Sequence, residues 1–231
     1  MPEATTVRAL LERGEASAAA IRAPGRTDLD YAGLRDHVDR TVTDLNGMGL
    51  GRGDRVVIVL PNGPEMASAF VSIAAGATTA PLNPNYRRRE YDFYLEDLGA
   101  KALVVEAGSG SDVVESARNL GISVLELRVP AGARAGEFEL VPDAGSDLES
   151  TTSPGPTGAD DVALVLHTSG TTSRPKIVPL LQGNVFASAR NIVATLRLTS
   201  EDRCLNVMPL FHIHGLMAPV LASLSAGASV A

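Results

Sequence analysis

Cysteine is nearly missing from this sequence. Cys204 stands alone, so neither a disulfide framework nor a CxxC metal site can be built within the chain, and a reducing, cytoplasmic setting is expected. Basic residues are in short supply as well: 20 Lys and Arg face 27 Asp and Glu, a net charge of −7. No global cationic field exists to draw in a phosphate backbone, which excludes nucleic acid as an expected partner. Long apolar runs are also lacking. The start, MPEATTVRALLERGEASAAAIRAPG, mixes Glu12 and Glu15 with Arg8 and Arg13 and has no unbroken apolar core of the kind a secretory signal needs. No stretch has the length and apolarity of a membrane span. The most apolar segment, Met66 to Ala80, is broken by Ser68, Ser72 and Gly76 and reads as a buried helix running into a strand. His, Cys and carboxylate spacings give no metal cluster.

What is present is globular. Hydrophobic residues make up 45% of 231 residues, and the 22 Gly and 14 Pro are spread along the chain rather than clustered. That length fits one large domain or two small ones, at roughly 100 to 200 residues per domain. Helix-period and strand-like segments alternate almost throughout, the pattern of βαβ units and a largely parallel sheet, so the fold class is α/β with flanking helices. Asp30 can cap a helix whose Leu34, Val38, Val42, Leu45 and Met48 form an apolar stripe, ended by Gly47 and Gly49. His37 falls on its polar side and Cys204 begins an expected strand; both read as structural. After the turn Gly51 to Asp54 comes Arg55 to Leu60, a β-branched run of the kind buried on both faces of a parallel sheet. Pro64 suits the first turn of the next helix, where its missing amide proton costs nothing.

The pattern repeats with a helix over 87–98, whose inner face is Tyr91, Tyr94, Leu95 and Leu98, a strand over 101–106, a helix capped by Ser111, and a strand over 122–127. Arg87, Arg88 and Arg89 read as a solvated helix start. From Arg128 to Asp160 the composition turns to Gly, Pro, Ser, Thr and acids, relieved only by Glu137 to Val141. The expected organisation is therefore a first α/β subdomain over 1–130, a surface excursion or linker between two sheets over 131–160, and the start of a second α/β subdomain over 161–231. The second part opens with a strand over 162–167, followed by a Thr/Ser/Gly loop, a short strand over 177–180, a helix over 183–198, a strand over 203–208 and a helix over 214–225. Gly227 to Ala231 looks like the opening of another strand that needs parallel neighbours, so the expectation is either a fragment of a longer protein or partner segments that lie elsewhere.

His167 to Pro179, HTSGTTSRPKIVP, carries the chemistry. Thr168, Ser169, Thr171, Thr172 and Ser173 supply hydroxyl donors around Gly170, where backbone amides can approach a ligand closely, while Arg174 and Lys176 add positive charge. This is the composition of a polyphosphate cradle, set directly after a buried strand at the carboxyl end of a sheet, where open α/β folds bind ligands. A Ser/Thr-rich surface turn is the bland alternative. A P-loop is disfavoured: Pro175 stands where GxxxxGK[ST] needs its second Gly, Ile177 replaces the Ser or Thr, and the residues that follow are extended.

From Thr168 to Lys176 the sequence resembles the adenylate-forming superfamily of acyl-CoA ligases, peptide-synthetase adenylation domains and luciferases. Further blocks of the resemblance are Leu29 to Leu34, the Gly51 to Asp54 turn with RVVIVLPN, Ala75 to Ala77, Pro81 to Pro84, and Met208 to Gly215 (MPLFHIHG). Ser173 and Ile177 each replace a glycine of the common form, and together with MPLFHIHGL the loop is similar to the oxalate-CoA ligase branch.

The resemblance implies an ATP-dependent acid-CoA ligase using ATP, Mg2+ and coenzyme A. Thr168, Ser169, Gly170, Thr171, Thr172 and Lys176 would hold the β- and γ-phosphates, Thr168 would touch magnesium, and His212 with Lys176 would serve the reaction. His214 falls at an acyl-pocket position, where an imidazole suits a small or dicarboxylic acid such as oxalate. For both histidines the alternative is capping at a helix start. The resemblance also puts the adenine segment, the magnesium-binding glutamate, the ribose-binding aspartate and a lysine-bearing C-terminal domain beyond residue 231. A missing C-terminal portion of the same enzyme is thus an expected partner, and the chain alone is expected not to complete thioester formation. The competing expectations are a truncated nucleotide-binding or interaction module without turnover, or a medium- or long-chain fatty-acid CoA ligase.

Overall fold

A computed structural model describes residues 5–146, 149–168 and 175–231. Its main sheet has seven strands: β3 (Arg55–Val59), β4 (Thr78–Pro81), β5 (Ala102–Glu106), β6 (Ser123–Arg128), β7 (Glu139–Pro142), β8 (Val162–Thr168) and β9 (Lys176–Leu181), in the spatial order β7-β6-β5-β3-β4-β8-β9. β3 to β6 and β8 run parallel; β7 and β9 close the two edges antiparallel. A second, four-stranded sheet joins the chain's beginning to its end, in the order β10 (Arg203–Cys204), β11 (Ser229–Val230), β1 (Ala19–Ile21) and β2 (Leu29–Asp30).

The helices cover both faces of the main sheet because its central strands are apolar on both. In β3, Val56 and Ile58 belong to one core cluster and Val57 and Val59 to the other. The strand period of two thus sends alternate side chains to opposite sides. One face receives α1 (Tyr31–Gly47) and α2 (Pro64–Ala74), the other α3 (Arg88–Leu98) and α4 (Asp112–Asn119). The local signals act as their chemistry dictates: Asp30 caps α1 by accepting from Gly33 N at 2.7 Å, Ser111 caps α4, and Pro64 opens α2. Arg88 pairs with Glu115 across α3 and α4, as a solvated helix start should. No helix among the described residues is long and apolar enough to cross a membrane.

Four expectations are corrected. Residues 131–160 do not link two sheets. β7, inside that excursion, pairs with β6, and β8, beyond it, joins the same sheet through Thr79↔Leu164, with the Thr78 and Thr79 hydroxyls donating to Val162 O and Ala163 O. The strand at 203 stops after Cys204, because Asn206 folds its side chain onto Met208, accepting from N at 2.9 Å and donating to O at 3.1 Å. The last helical segment is composite, with α6 (Ile213–Gly215), a π-helical stretch (Leu216–Ala222) around Pro219, and α7 (Ser223–Ala226). Proline has no amide proton and crowds the preceding turn, which the wider π-turn accommodates. Finally, β11 finds parallel neighbours on both sides within this chain, β1 and β10.

His37 is also misjudged by the amphipathic pattern. It is 2% exposed, its ring meets Phe138 edge-on at 4.4 Å, and Nε2 is buried without a hydrogen-bond partner among the described residues. The covering ring comes from the excursion, which a helical wheel cannot see. Burial is the main cause that pushes its pKa down to about 4, with Arg40 adding to it. An unfolded histidine titrates near 6.5, so between about pH 6.5 and 4 the unfolded chain holds a proton that the folded one refuses. Stability from this group is therefore complete above pH 6.5 and declines on acidification, by about 3 kcal/mol in full. Urea unfolding at pH 7 and pH 4 is expected to show that extra loss in the parent and its absence in His37→Phe.

Candidate active site

The site grows from the β8–β9 hairpin. Thr168, the last residue of β8, and Lys176, the first of β9, are direct cross-strand partners, and both are exposed. Residues opposite each other in an antiparallel pair project to the same side with Cβ atoms about 4.5 to 5.5 Å apart. A hydroxyl and an ammonium thus stand together at the mouth of the hairpin, at the carboxyl end of a strand parallel to β4. Ser169, Gly170, Thr171 and Thr172, with Ser173 and Arg174, lie outside the described residues.

Beneath the hairpin mouth is a group that pattern reasoning missed. His167 Nε2 lies 2.9 Å from Asp97 Oδ2 of α3, and its ring is 4.6 Å from that of Tyr94 at 64°. Tyr86 stacks on Tyr94 at 5.0 Å, and burial pushes the Tyr86 phenol pKa up, so it stays neutral. The available signal was the spacing of Tyr94 and Asp97, three apart on a helix whose inner face was already identified. What the sequence withheld is that this face meets His167.

The second part of the site is Met208 to Gly215, held by Asn62 just past the carboxyl end of β3. Asn62 Nδ2 donates to Met208 O at 3.0 Å and its Oδ1 accepts from Leu210 N at 2.9 Å. A tight turn follows, with His212 N donating to Pro209 O at 3.2 Å. His212 is the N-cap of α6: its Nδ1 accepts from His214 N at 3.3 Å. The capping alternative is thus realised in geometry for His212. Because Nδ1 accepts, the ring proton sits on Nε2 of an exposed imidazole that makes no further hydrogen bond among the described residues.

His214 does not cap. It lines an open groove of about 660 Å³ whose opposite wall is α5 (Gln182–Leu196), with Asn184, Ser188, Asn191 and Thr195 supplying polar groups and Ile192 and Leu196 apolar ones. The helix α5 is what connects the two parts of the site: it leaves the end of β9 directly and faces His214 across the groove. Among the described residues no group of three His, Cys, Asp or Glu side chains could hold a metal. Cys204 is partly buried as the last residue of β10, four positions before Met208.

The family model described as AMP-binding enzyme matches residues 9–231. An oxalate–CoA ligase of Arabidopsis thaliana is 41% identical over 218 residues, covering 91% of this chain and 41% of that protein. An oxalate–CoA ligase of Saccharomyces cerevisiae is 38% identical, covering 87% of this chain and 41% of that protein. Among solved structures, ATP-bound MatB from Rhodopseudomonas palustris superposes with a TM-score of 0.79 at 27% identity, covering 98% of this chain and 44% of that one. The chain thus spans less than half the length of these relatives.

Gly215 fixes how closely α6 approaches the Pro209 turn, since a Cβ there would sit 2.3 Å from Pro209 O. Gly215→Ala is expected to cost about 1 to 3 kcal/mol in urea unfolding. Gly47→Ala, at a helix end with no atom near the added methyl, should leave stability unchanged or slightly raised.

Proposed function

We propose, from the premise that the chain belongs to the AMP-binding enzyme family, that it is the N-terminal part of an ATP-dependent acid-CoA ligase. The carboxylate of a small acid attacks the α-phosphate of ATP, pyrophosphate leaves, and the thiol of coenzyme A displaces AMP to give the thioester. The single observation that carries this reading is the cross-strand pairing of Thr168 with Lys176 at the mouth of the Thr/Ser/Gly loop. Charge develops on the departing pyrophosphate, and preorganised donors aimed at it lower the barrier more than the same groups free in water.

In this reading Thr168, Ser169, Gly170, Thr171, Thr172 and Lys176 grip the β- and γ-phosphates. Magnesium, when bound, neutralises phosphate charge; Thr168, whose exposed hydroxyl is the hard oxygen ligand such an ion takes, would be one contact. His212 would orient the acid through its Nε2–H, the proton left outward by the cap that Nδ1 makes. The rest of the machinery belongs to the C-terminal portion of the same enzyme.

The acid is proposed to be oxalate or a similarly compact diacid. Two of the similar proteins named above are oxalate–CoA ligases, and the groove beside His214 is lined by amide and hydroxyl groups as well as apolar ones. An imidazole facing an alkyl chain would lose its partner at about 1 to 3 kcal/mol, whereas a second carboxylate supplies one.

In ATP–pyrophosphate exchange by the full-length enzyme, Lys176→Ala and Thr171→Ala are each expected to lower the rate on the order of 10²-fold with circular dichroism unchanged. Full activity in both variants would reduce the loop to a turn. Comparing kcat/KM for oxalate, acetate, a medium-chain and a long-chain acid is expected to favour oxalate, and His214→Phe to erode that preference. A parent that prefers long chains would refute the assignment of the acid.

A further inference from the structure

The strand that carries Thr168 outruns its support. The register Thr79↔Leu164 sets Pro81, the last residue of β4, beside Leu166, so His167 and Thr168 project beyond it. Among the described residues their remaining strand neighbour is β9, itself the edge of the sheet. Along β8 the side chains alternate. Leu164 and Leu166 pack in the core cluster shared with α1 and α2, and Val165 in the one shared with α3. The same alternation sends His167 to the α3 face and the Thr168 hydroxyl to the other.

On the α3 face the imidazole is held from two directions. Asp97, in the last turn of α3, takes its Nε2 at 2.9 Å, and Tyr94 presses on its ring at 4.6 Å, backed by Tyr86. A carboxylate can only accept, so Nε2–H donates, and a hydrogen bond to a charged acceptor is about twice as strong as a neutral one. The His167 side chain is 8% exposed although the next residue is open to solvent. This is a fixed anchor one residue from the loop, tying a projecting hairpin to a rigid helix.

We propose that Asp97 and His167 are positioning residues for nucleotide phosphate: by clamping the end of β8 to α3 they hold Thr168 and Lys176 where the β- and γ-phosphates are gripped. The inference rests on the phosphate-binding role of that hairpin, and neither side chain is assigned a contact with substrate. Misplacing a binding group by about 1 Å is enough to cost large factors, and a lost charge-assisted bond is worth about tenfold.

The test is equilibrium binding of MgATP to the full-length protein, with KM for the acid measured in parallel and folding followed by thermal melting. Asp97→Ala and His167→Phe are each expected to weaken MgATP binding about tenfold and to leave the KM for the acid within about twofold. The double variant should be no weaker than either single one, since both break the same link. Asp97→Asn, which keeps an acceptor oxygen in place, should recover most of the affinity. His167→Phe retains the ring contact with Tyr94 and serves if Asp97→Ala fails to fold. A folded Asp97→Ala that binds MgATP like the parent, or single effects that multiply in the double variant, would overturn the clamp while leaving the hairpin's role intact. A parent that binds no MgATP would overturn both.

Discussion

One buried amide ties together the segments on which the site is built. Gln182, at the seam where β9 becomes α5, is fully buried; its Oε1 accepts from Val7 N at 2.9 Å and its Nε2 donates to Ala74 O at 2.6 Å. Its own backbone N donates to Asp161 O at 2.8 Å. An amide taken out of water is tolerated only when its polar atoms are paired. The pairing here requires the chain's beginning, the end of α2 and the start of β8 to be in place together. Once they are, α5 can leave in only one direction, and with it the wall facing His214 is fixed.

Asn62 plays the corresponding part on the other side. Its carboxamide reads Met208 O and Leu210 N as a peptide group would, so the end of β3, a strand buried over four of its five residues, dictates the path of the segment that carries both histidines. The two halves of the site are thus placed by side-chain amides bonded to backbone rather than by loops packing on loops. Both amides are bonded on each of their ends; for the buried Gln182 this is the condition under which a polar group specifies position instead of weakening the core, while Asn62 does the same from an exposed position.

The sequence was legible where the signal is local. Arg55 to Leu60, the caps at Asp30 and Ser111, and Pro64 at a helix start each state their structure within a few residues. The strand-like runs on either side of the Thr168 to Lys176 motif were legible as strands, but their antiparallel pairing as a hairpin was not. The rest depends on pairings between distant segments. Glu139 to Pro142 becomes an edge strand of the main sheet because β6 is there to pair with it, so what read as a linker is sheet. His37 is buried by Phe138, about a hundred positions away in sequence and invisible to a helical wheel. The clamp of His167 by Asp97 required knowing that β8 inserts beside β4, and only the register of the sheet supplies that.

The second sheet has a consequence for how the protein comes into being. Ile21 in β1 pairs with Val230 in β11, and the Tyr31 hydroxyl donates to Leu224 O at 3.1 Å and to Ala228 O at 2.6 Å. At about 5 to 20 residues per second of synthesis, the ribosome needs roughly 10 to 40 s after making the first of these strands to deliver the second. Through that interval the nascent chain carries β1 with only β2 beside it, and Tyr31 with neither of its acceptors. A chaperone that covers this N-terminal stretch during translation would be guarding the edge on which the whole second sheet must later close.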